Sequence, residues 1–268
     1  MKRQTGKWVG LIYYVALLIF LQLPILLLIV FSFNDSVLLV FPLKGFTLEW
    51  YRQLLGATEL LNAAKNSLII GLISSSLATV LGTMAAIAIA RYKFPGRELF
   101  LNLSTLPLVI PYVVLAVALL ILFQSLGIGL SIWTIMVGHT IVNVPYVMLI
   151  VAARLSGFAN NLEEAAMDLG ATYWGTLMRV TLPISAPALV AAFLSSFTLS
   201  FDEFSLAFFL AGTQNTLPVY LYSQLRFPNR LPLAITTAAV VITVSVLILL
   251  LSEWLRRIGA GRALKAES

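Results

Sequence analysis

The chain has 268 residues, of which 60% are hydrophobic and only 10% are charged, and its mean hydropathy is +0.98. A soluble domain of this length would not need so much apolar surface, so the composition predicts an integral membrane protein. The net charge of +6 does not indicate nucleic acid binding, because the basic residues are scattered at the ends of apolar segments rather than gathered on one face. The absence of cysteine excludes disulfides, thiolate metal sites and cysteine nucleophiles.

Six apolar segments of the sequence are each long enough to cross a bilayer core about 30 Å thick. The first follows a short basic N-terminus. Because it is too long for a signal peptide and shows no small-residue cleavage site, we expect an uncleaved first span. The third contains Pro107 and Pro111, whose freed backbone carbonyls would need neighbouring helices or a water-filled path, and the fifth is interrupted by residues 200–204. The segments cover approximately residues 8–33, 66–90, 99–126, 130–153, 184–211 and 232–254.

The distribution of basic residues predicts how these segments are oriented. With the N-terminus inside the cell, 12 of the 17 lysines and arginines fall on the inner side, in agreement with the positive-inside rule. The outer side keeps Lys44, Arg52, Lys65, Arg226 and Arg230. Residues 34–64 and 212–231 are then outer loops, and residues 45–51 suggest a short interfacial helix capped by Thr47. Both termini and the loop of residues 154–183 are predicted to lie in the cytoplasm.

This cytoplasmic loop is a polar interruption between the fourth and fifth apolar segments. Its apolar and acidic side chains recur with helical spacing, which predicts a short two-faced helix. One side carries Leu162, Ala165, Ala166 and Leu169, and the other carries Glu163, Glu164, Met167 and Asp168. Asn160 and Asn161 are candidate N-caps, and Gly170 is expected to end the helix in a left-handed conformation. A stretch of surface helix over residues 172–180 follows, and Pro183 then starts the next apolar run.

The same loop carries a spaced motif. Glu164-Ala165-Ala166 is followed after three residues by Gly170, and after nine more by Val180-Thr181-Leu182-Pro183. This spacing resembles the EAA loop of the permeases of ATP-binding cassette (ABC) importers, with Val180 in place of the usual isoleucine. The resemblance implies a cytoplasmic coupling helix that docks into a cleft of a separate ATP-binding subunit; the alternative is a solvated amphipathic linker. The residues assigned to coupling are Glu163, Glu164, Ala165, Ala166, Asp168, Gly170, Leu182 and Pro183.

Few residues offer catalytic or metal chemistry. The sequence contains no Gly-x-x-x-x-Gly-Lys-Ser/Thr phosphate loop, so another subunit must supply any ATP hydrolysis. The sequence has one histidine and no cysteine, so a zinc site would need a cluster of carboxylates, and the sequence shows none. His139 lies inside a predicted span, where hydrogen bonding across helices is the favoured interpretation over catalysis. An intramembrane hydrolase would need a positioned nucleophile, and the sequence offers no convincing one.

Two acidic residues, Asp202 and Glu203, lie inside the fifth apolar segment. A carboxylate near the bilayer centre costs about 2.5 to 3.5 kcal/mol on insertion scales, so such residues usually face a bundle interior, a partner charge or an aqueous path. An acidic pair lining a route would favour a cationic solute. The alternatives are that Asp202 pairs with an arginine of a partner permease or holds the fifth span against its neighbours. The residues assigned to the substrate path are Ser200, Phe201, Asp202 and Glu203.

The surrounding sequence resembles the inner-membrane permeases of spermidine/putrescine importers. The similarity is carried by residues 196–203 (SFTLSFDE), with further likeness at residues 31–34, 91–94 and 223–227. It implies an all-α type I ABC importer transmembrane domain over residues 1–268, with six transmembrane helices and the coupling helix between the fourth and the fifth. It also implies a bacterial inner-membrane location and a permease subunit rather than an enzyme.

The partners implied by this resemblance are a second permease, a dimer of ATP-binding subunits, a periplasmic substrate-binding protein, membrane lipid and a small, polyamine-like solute. No cofactor is expected in this chain, because ATP and Mg²⁺ would be bound by the ATPase. The alternative from a different class is a proton- or sodium-driven secondary transporter that uses Asp202, Glu203 and His139 as ion-coupling groups. The absence of an internal repeat and the presence of the coupling-loop motif disfavour it.

Overall fold

The structure is a computed structural model that describes residues 2–38, 40–157 and 161–266. These residues are almost entirely helical, with one isolated β-bridge between Asn34 and Phe46. The helices are α1 (Lys2–Phe31), α2 (Glu49–Gly56), α3 (Thr58–Arg91), α4 (Arg97–Val109), α5 (Tyr112–Ser125), α6 (Ile132–Ser156), α7 (Asn161–Asp168), α8 (Tyr173–Thr176), α9 (Leu182–Phe201), α10 (Ser205–Leu210), α11 (Leu217–Gln224) and α12 (Leu231–Ala266). A π-helical segment, Leu177–Thr181, joins α8 to α9, and a 3₁₀ turn, Pro228–Arg230, precedes α12.

Five helical segments are long and apolar enough to cross a membrane, and a sixth is obtained if α4 and α5 count together as one span. The all-α membrane fold predicted from the sequence is therefore confirmed. The five segments are Gly10–Phe31, Thr58–Arg91, Ile132–Ser156, Tyr173–Phe201 and Pro228–Trp254. A short helix is present close to the predicted one, as α2 over Glu49–Gly56 rather than residues 45–51, and its interfacial location stays a prediction. Its N-cap is Leu48 rather than Thr47, although the Thr47 hydroxyl accepts a hydrogen bond from the Glu49 N–H (3.0 Å).

The third predicted span, residues 99–126, differs from the prediction. It is divided into α4 and α5, which are bent by 105° relative to each other. Steric clash with a proline ring disfavours helical geometry for the preceding residue, and Ile110 before Pro111 is accordingly extended (φ −74°, ψ 129°). Pro107 lies inside α4 without ending it, so Pro111 is the proline that breaks this segment.

The start of the fifth span also differs from the prediction. Pro183 does not begin a separate run, because the helix is continuous from Tyr173 to Phe201. A proline inside a helix lacks an N–H and its ring clashes with the carbonyl four residues earlier. The widened π turn of Leu177–Thr181 precedes Pro183, and the Leu182 N–H bonds to the Leu177 carbonyl five residues back. The interruption predicted at residues 200–204 is confirmed, since α9 ends at Phe201 and α10 begins at Ser205.

The chain forms two compact units. The described residues of 1–61 and 221–243 make up the first, and those of 62–220 and 244–266 make up the second. In the first unit, the loop after α1 folds around Asn34, which is 1% exposed. The Asn34 carbonyl accepts a hydrogen bond from the Trp50 indole (2.9 Å), and its side-chain oxygen accepts one from the Lys44 N–H (3.2 Å). That residues 1–268 act as a single domain stays a prediction.

The second unit contains two buried apolar clusters and the residues of both candidate sites. Towards one end, α3, α5, α6 and α10 meet around Ile70, Phe123, Ile135 and Leu206. Towards the other end, α3, α6 and α9 meet around side chains that include Val147. The second apolar segment, residues 66–90, is rich in Gly, Ala, Ser and Thr, and such small residues allow helices to approach closely in membrane proteins.

Gly82 provides a test of this close packing. A Cβ built there would lie 2.8 Å from both the Val144 carbonyl oxygen and the Val147 Cβ, so Gly82→Ala should overpack the contact between α3 and α6. We expect a loss of about 1–3 kcal/mol in the free energy of unfolding, seen as a lower melting temperature of the purified protein. Gly10→Ala is the control, because no atom lies within 4 Å of a Cβ at that position. Equal melting temperatures for the two variants would contradict the packing argument.

Candidate functional site

The short helix α7 lies between α6 and α9, where the sequence predicts the coupling helix. Gly170 follows it with φ +90°, as predicted, and none of the described non-glycine residues has a positive φ. The Ala171 N–H bonds to the Ala166 carbonyl (3.0 Å) and the Gly170 N–H to the Met167 carbonyl (2.9 Å), which is the Schellman pattern of helix ends. Asn161 is the first residue of α7, and the other candidate cap, Asn160, lies outside the described residues.

Helix α7 leaves most of its side chains at the surface. It contains no buried residue, and the apolar Leu162 and Leu169 are 48% and 90% exposed. Ala165 is exposed as well and Ala166 is half-buried, so most of the apolar side predicted from helical spacing does not pack against this chain. The acidic Glu164 and Asp168 are also exposed. The helix therefore presents an apolar and acidic surface that this chain leaves uncovered.

Glu163 is placed differently from its neighbour. Its carboxylate forms an ion pair with the Arg91 guanidinium (Oε2 to Nε, 3.0 Å), and the two side chains are only 15% and 11% exposed. The other carboxylate oxygen accepts a hydrogen bond from the Thr181 hydroxyl (2.8 Å). Glu163 thus contacts the end of α3 and the start of the fifth span within its own chain, and its predicted role in contacting an ATPase stays a prediction.

A cavity of about 260 Å³ lies behind α7. Its walls include Ile87, Arg91, Met167, Tyr173 and Leu177, so it separates part of α7 from α3 and from the helix that begins at Tyr173. The last two residues of the predicted coupling set lie beyond it at the start of α9. Leu182 is half-buried and Pro183 is exposed.

The second candidate site lies at the break between α9 and α10, where the two acidic residues are separated. Asp202 is exposed at the end of α9, and its carboxylate accepts a hydrogen bond from the Ser245 hydroxyl of α12 (3.1 Å). The Glu203 side chain is only 8% exposed. Phe201, next to them, is half-buried and its ring centroid lies 5.8 Å from that of Phe197. Asp202 is therefore the carboxylate that this break presents to its surroundings.

The Glu203 carboxylate accepts hydrogen bonds from the first N–H groups of α10. One oxygen accepts from the Ser205 N–H (2.8 Å), and the other from the Leu206 and Ala207 N–H groups (2.8 and 3.2 Å). The first N–H groups of a helix have no partner within the helix, and a carboxylate there also interacts favourably with the helix dipole. Glu203 therefore supplies the groups that allow α10 to begin in a buried place.

His139 extends this arrangement into a buried polar network. Its Nε2 lies 3.4 Å from the Glu203 carboxylate, and its Nδ1 is 2.6 Å from the Ser200 hydroxyl, which is in turn 2.9 Å from the Ser74 hydroxyl. His139, Ser200 and Ser74 are at most 3% exposed. The network links α3, α6 and α9, which agrees with the interpretation of His139 as a residue bonded across helices. Ser200 contributes to this network, and its predicted place in a substrate path stays a prediction.

Sequence reasoning did not assign roles to several residues of these sites. Ser74, Thr181 and Ser245 look like ordinary small polar residues of apolar segments, and their partners are distant in the sequence. Arg91 lies directly after an apolar segment and before a loop, a position that could have suggested an ion pair. Across the described residues, no group of three or more His, Cys, Asp or Glu side chains is arranged to hold a metal ion.

Comparison with known proteins identifies a transport family. The family model described as "Binding-protein-dependent transport system inner membrane component" matches residues 78–258. The chain is 37% identical over 212 residues to the spermidine/putrescine transport system permease protein PotC of Escherichia coli K12, covering 79% of this chain and 80% of the relative. It is 36% identical over 216 residues to the putrescine transport system permease protein PotI of the same strain, covering 77% and 76%.

A more complete match in length is PotC of Haemophilus influenzae, which is 34% identical over 239 residues, or 89% of this chain and 92% of the relative. Among solved structures, the fold is similar to a chain of a bacterial alginate ABC transporter in complex with a periplasmic protein bound to alginate pentasaccharide (TM-score 0.72, 20% identity, 96% of both chains covered). It is also similar to a chain of the MetNI methionine ABC transporter (TM-score 0.60, 17% identity, covering 75% of this chain and 95% of that one).

The role of Glu203 can be tested with Glu203→Ala. Removing three hydrogen bonds from the start of α10 should loosen this helix, because buried N–H groups left without partners cost about 1–3 kcal/mol each. The chain has no native cysteine, so a single cysteine can be introduced as Ala207→Cys, at a position in α10 that is 0% exposed. Its rate of chemical labelling then measures how often the start of α10 becomes accessible. We expect a permeant maleimide to label this cysteine several-fold faster when Glu203 is replaced. Asp202→Ala is the control, and equal labelling rates in the two variants would contradict the capping role.

Proposed function

The chain belongs to the family of binding-protein-dependent transport system inner membrane components, and on this premise we propose that it forms half of the translocation path for a polyamine-like cation. It is a permease subunit of an ABC importer and not an enzyme. Membership of a family that works with a separate binding protein favours this function over a self-contained secondary transporter. No step of the proposed mechanism makes or breaks a bond in the solute.

The proposed solute class rests on the relatives and on one side chain. Relatives that are 36 and 37% identical carry names that specify spermidine and putrescine transport. Asp202 supports the same class, because it is an exposed carboxylate at a break in a membrane-spanning helix. A carboxylate there lowers the free energy of an ammonium group passing nearby and raises that of an anion. The alginate and methionine transporters are too distant in sequence to indicate a solute and support the fold alone.

The proposed coupling uses the surface of α7. A dimer of ATP-binding subunits, which bind ATP and Mg²⁺, grips the exposed residues of α7, and a second permease completes the path. A periplasmic binding protein delivers the solute to the opposite side. ATP-driven closure of the two ATPases moves α7 and turns the path outward, and hydrolysis resets it. The exposure of Leu162, Leu169, Glu164 and Asp168 supports this arrangement, since a docking helix must leave such residues free of its own chain.

The proposed orientation places α7 and both termini in the cytoplasm. The end of the second unit that carries α7 also carries three arginines with defined partners, in agreement with the positive-inside rule. Arg91 is paired with Glu163, Arg97 donates two hydrogen bonds to the Ile89 carbonyl (3.1 and 2.9 Å), and Arg154 donates one to the Ile184 carbonyl (3.0 Å). These contacts gather the arginines at one end of α3, α4, α6 and α9.

Asp202→Asn tests the proposed solute path. The substitution keeps the size of the side chain and removes its charge, so uptake of putrescine or spermidine by the complete transporter in proteoliposomes should fall about tenfold, equivalent to about 1.4 kcal/mol. Asp202→Glu should retain most of the activity, and Glu59→Gln, which removes another exposed carboxylate, should leave uptake unchanged. Normal uptake by the Asp202→Asn transporter, with the subunits assembled as usual, would show that Asp202 has no part in the path.

Leu169→Glu tests the docking surface. Leu169 is 90% exposed in this chain, so the substitution should not disturb its fold, but it would place a charge in an apolar contact with the ATPase. We expect the amount of ATP-binding subunit that copurifies with the permease to drop severalfold. Leu55→Glu in α2 is the matched control, because Leu55 is 79% exposed and lies outside the loop. Full copurification with the Leu169→Glu variant would argue against docking at this surface.

A further inference from the structure

We propose that Arg91, Glu163 and Thr181 form a joint that transmits the movement of α7 to the spans, with Arg91 and Glu163 acting as positioning residues. The inference rests on the proposed function, since it assumes that an ATPase moves α7. It assigns Glu163 to a contact inside the permease rather than to the ATPase contact. It also gives Arg91 a role in transmitting movement, in addition to the effect of its charge on membrane orientation.

Apolar packing contributes little to holding α7 in place. The helix has no buried residue, and Leu162, Met167 and Leu169 are 48, 42 and 90% exposed. The cavity of about 260 Å³ behind it also removes contacts that a packed helix would have. If α7 transmits movement to neighbouring helices, we expect polar side-chain contacts to join it to them.

Glu163 supplies that connection. Within the part of the chain that the structure describes, it is the one residue of α7 whose side chain forms an ion pair or hydrogen bond with another element. Its two oxygens bind different helices, because Oε2 lies 3.0 Å from the guanidinium of Arg91 and Oε1 accepts from the hydroxyl of Thr181 at 2.8 Å. Movement of α7 relative to either helix must therefore stretch one of these contacts.

The positions of the two partners make the joint effective. Arg91 is the last residue of α3, and Thr181 is the last residue of the π-helical segment that continues into α9. Both helices are long enough to span a membrane, so a displacement at these ends is carried along their whole length. Thr181 is 3% exposed and the side chains of Arg91 and Glu163 are 11 and 15% exposed, so dissolved salt screens this ion pair less than it would a pair at the open surface.

The test uses the complete transporter, with its ATPase and binding protein, in proteoliposomes supplied with putrescine or spermidine. Glu163→Gln and Arg91→Gln should retain the ATPase and continue to hydrolyse ATP, while the amount of solute imported per ATP falls about fivefold or more. Thr181→Val, which keeps the shape of the side chain and removes its hydroxyl, should give a smaller loss in the same direction. Glu98→Gln, at an exposed position at the start of α4, is the neutral control.

A charge swap separates a joint from a merely structural contact. Arg91→Glu and Glu163→Arg should each uncouple hydrolysis from import, and the two together should recover at least about half of the lost coupling, because the pair is restored in reverse. The inference is overturned if Glu163→Gln, Arg91→Gln and Thr181→Val all import as much solute per ATP as the unaltered transporter. If the ATPase does not assemble with the unaltered chain at all, it is the proposed function that fails.

Discussion

The Glu203 carboxylate accepts hydrogen bonds from the start of α10, and these bonds allow a membrane-spanning segment to be interrupted between α9 and α10. A helix crossing a bilayer cannot leave N–H groups unpaired, because the surrounding lipid offers no acceptor. Here the fifth apolar segment stops at Phe201 and restarts at Ser205, and the N–H groups freed by the restart are taken up by a side chain of the same break. His139 contacts the same carboxylate, so the break is supported from α6 as well.

Pro111 and Pro183 both lack the N–H that a helix needs, but one lies at a sharp bend and the other lies in a continuous helix. Pro111 forces Ile110 into an extended conformation, and the chain turns by 105° between α4 and α5. Pro183 lies in the first turn of α9, directly after a π-helical segment, and the helix runs on from Tyr173 without a bend of that size. Widening one turn therefore keeps the end of the loop and the fifth span in one continuous helix, as the proposed coupling requires.

Sequence patterns predicted the elements better than their orientations. Apolar length located the spans, and Gly170 was predicted to end α7 because a left-handed position favours glycine. The direction in which Glu163 and Glu203 point was not predictable, since helical spacing defines the sides of a helix but not which side meets a neighbour. Their partners, Arg91 and His139, are distant in the sequence, and only the packing of α3 and α6 brings them close.

Both candidate sites contain two consecutive acidic residues with divided roles. Glu163 and Glu164 lie on the same side of α7 by helical spacing, but consecutive residues on a helix point about 100° apart, and in the structure the two have different surroundings. Glu163 is bound to its own chain and Glu164 is exposed, while at the break Glu203 is buried and Asp202 is exposed. In each pair the enclosed carboxylate fixes the backbone that carries the exposed one. In the proposed function, the exposed acid would meet an ATPase or a cation without losing its position, because the contacts that hold its backbone belong to its neighbour.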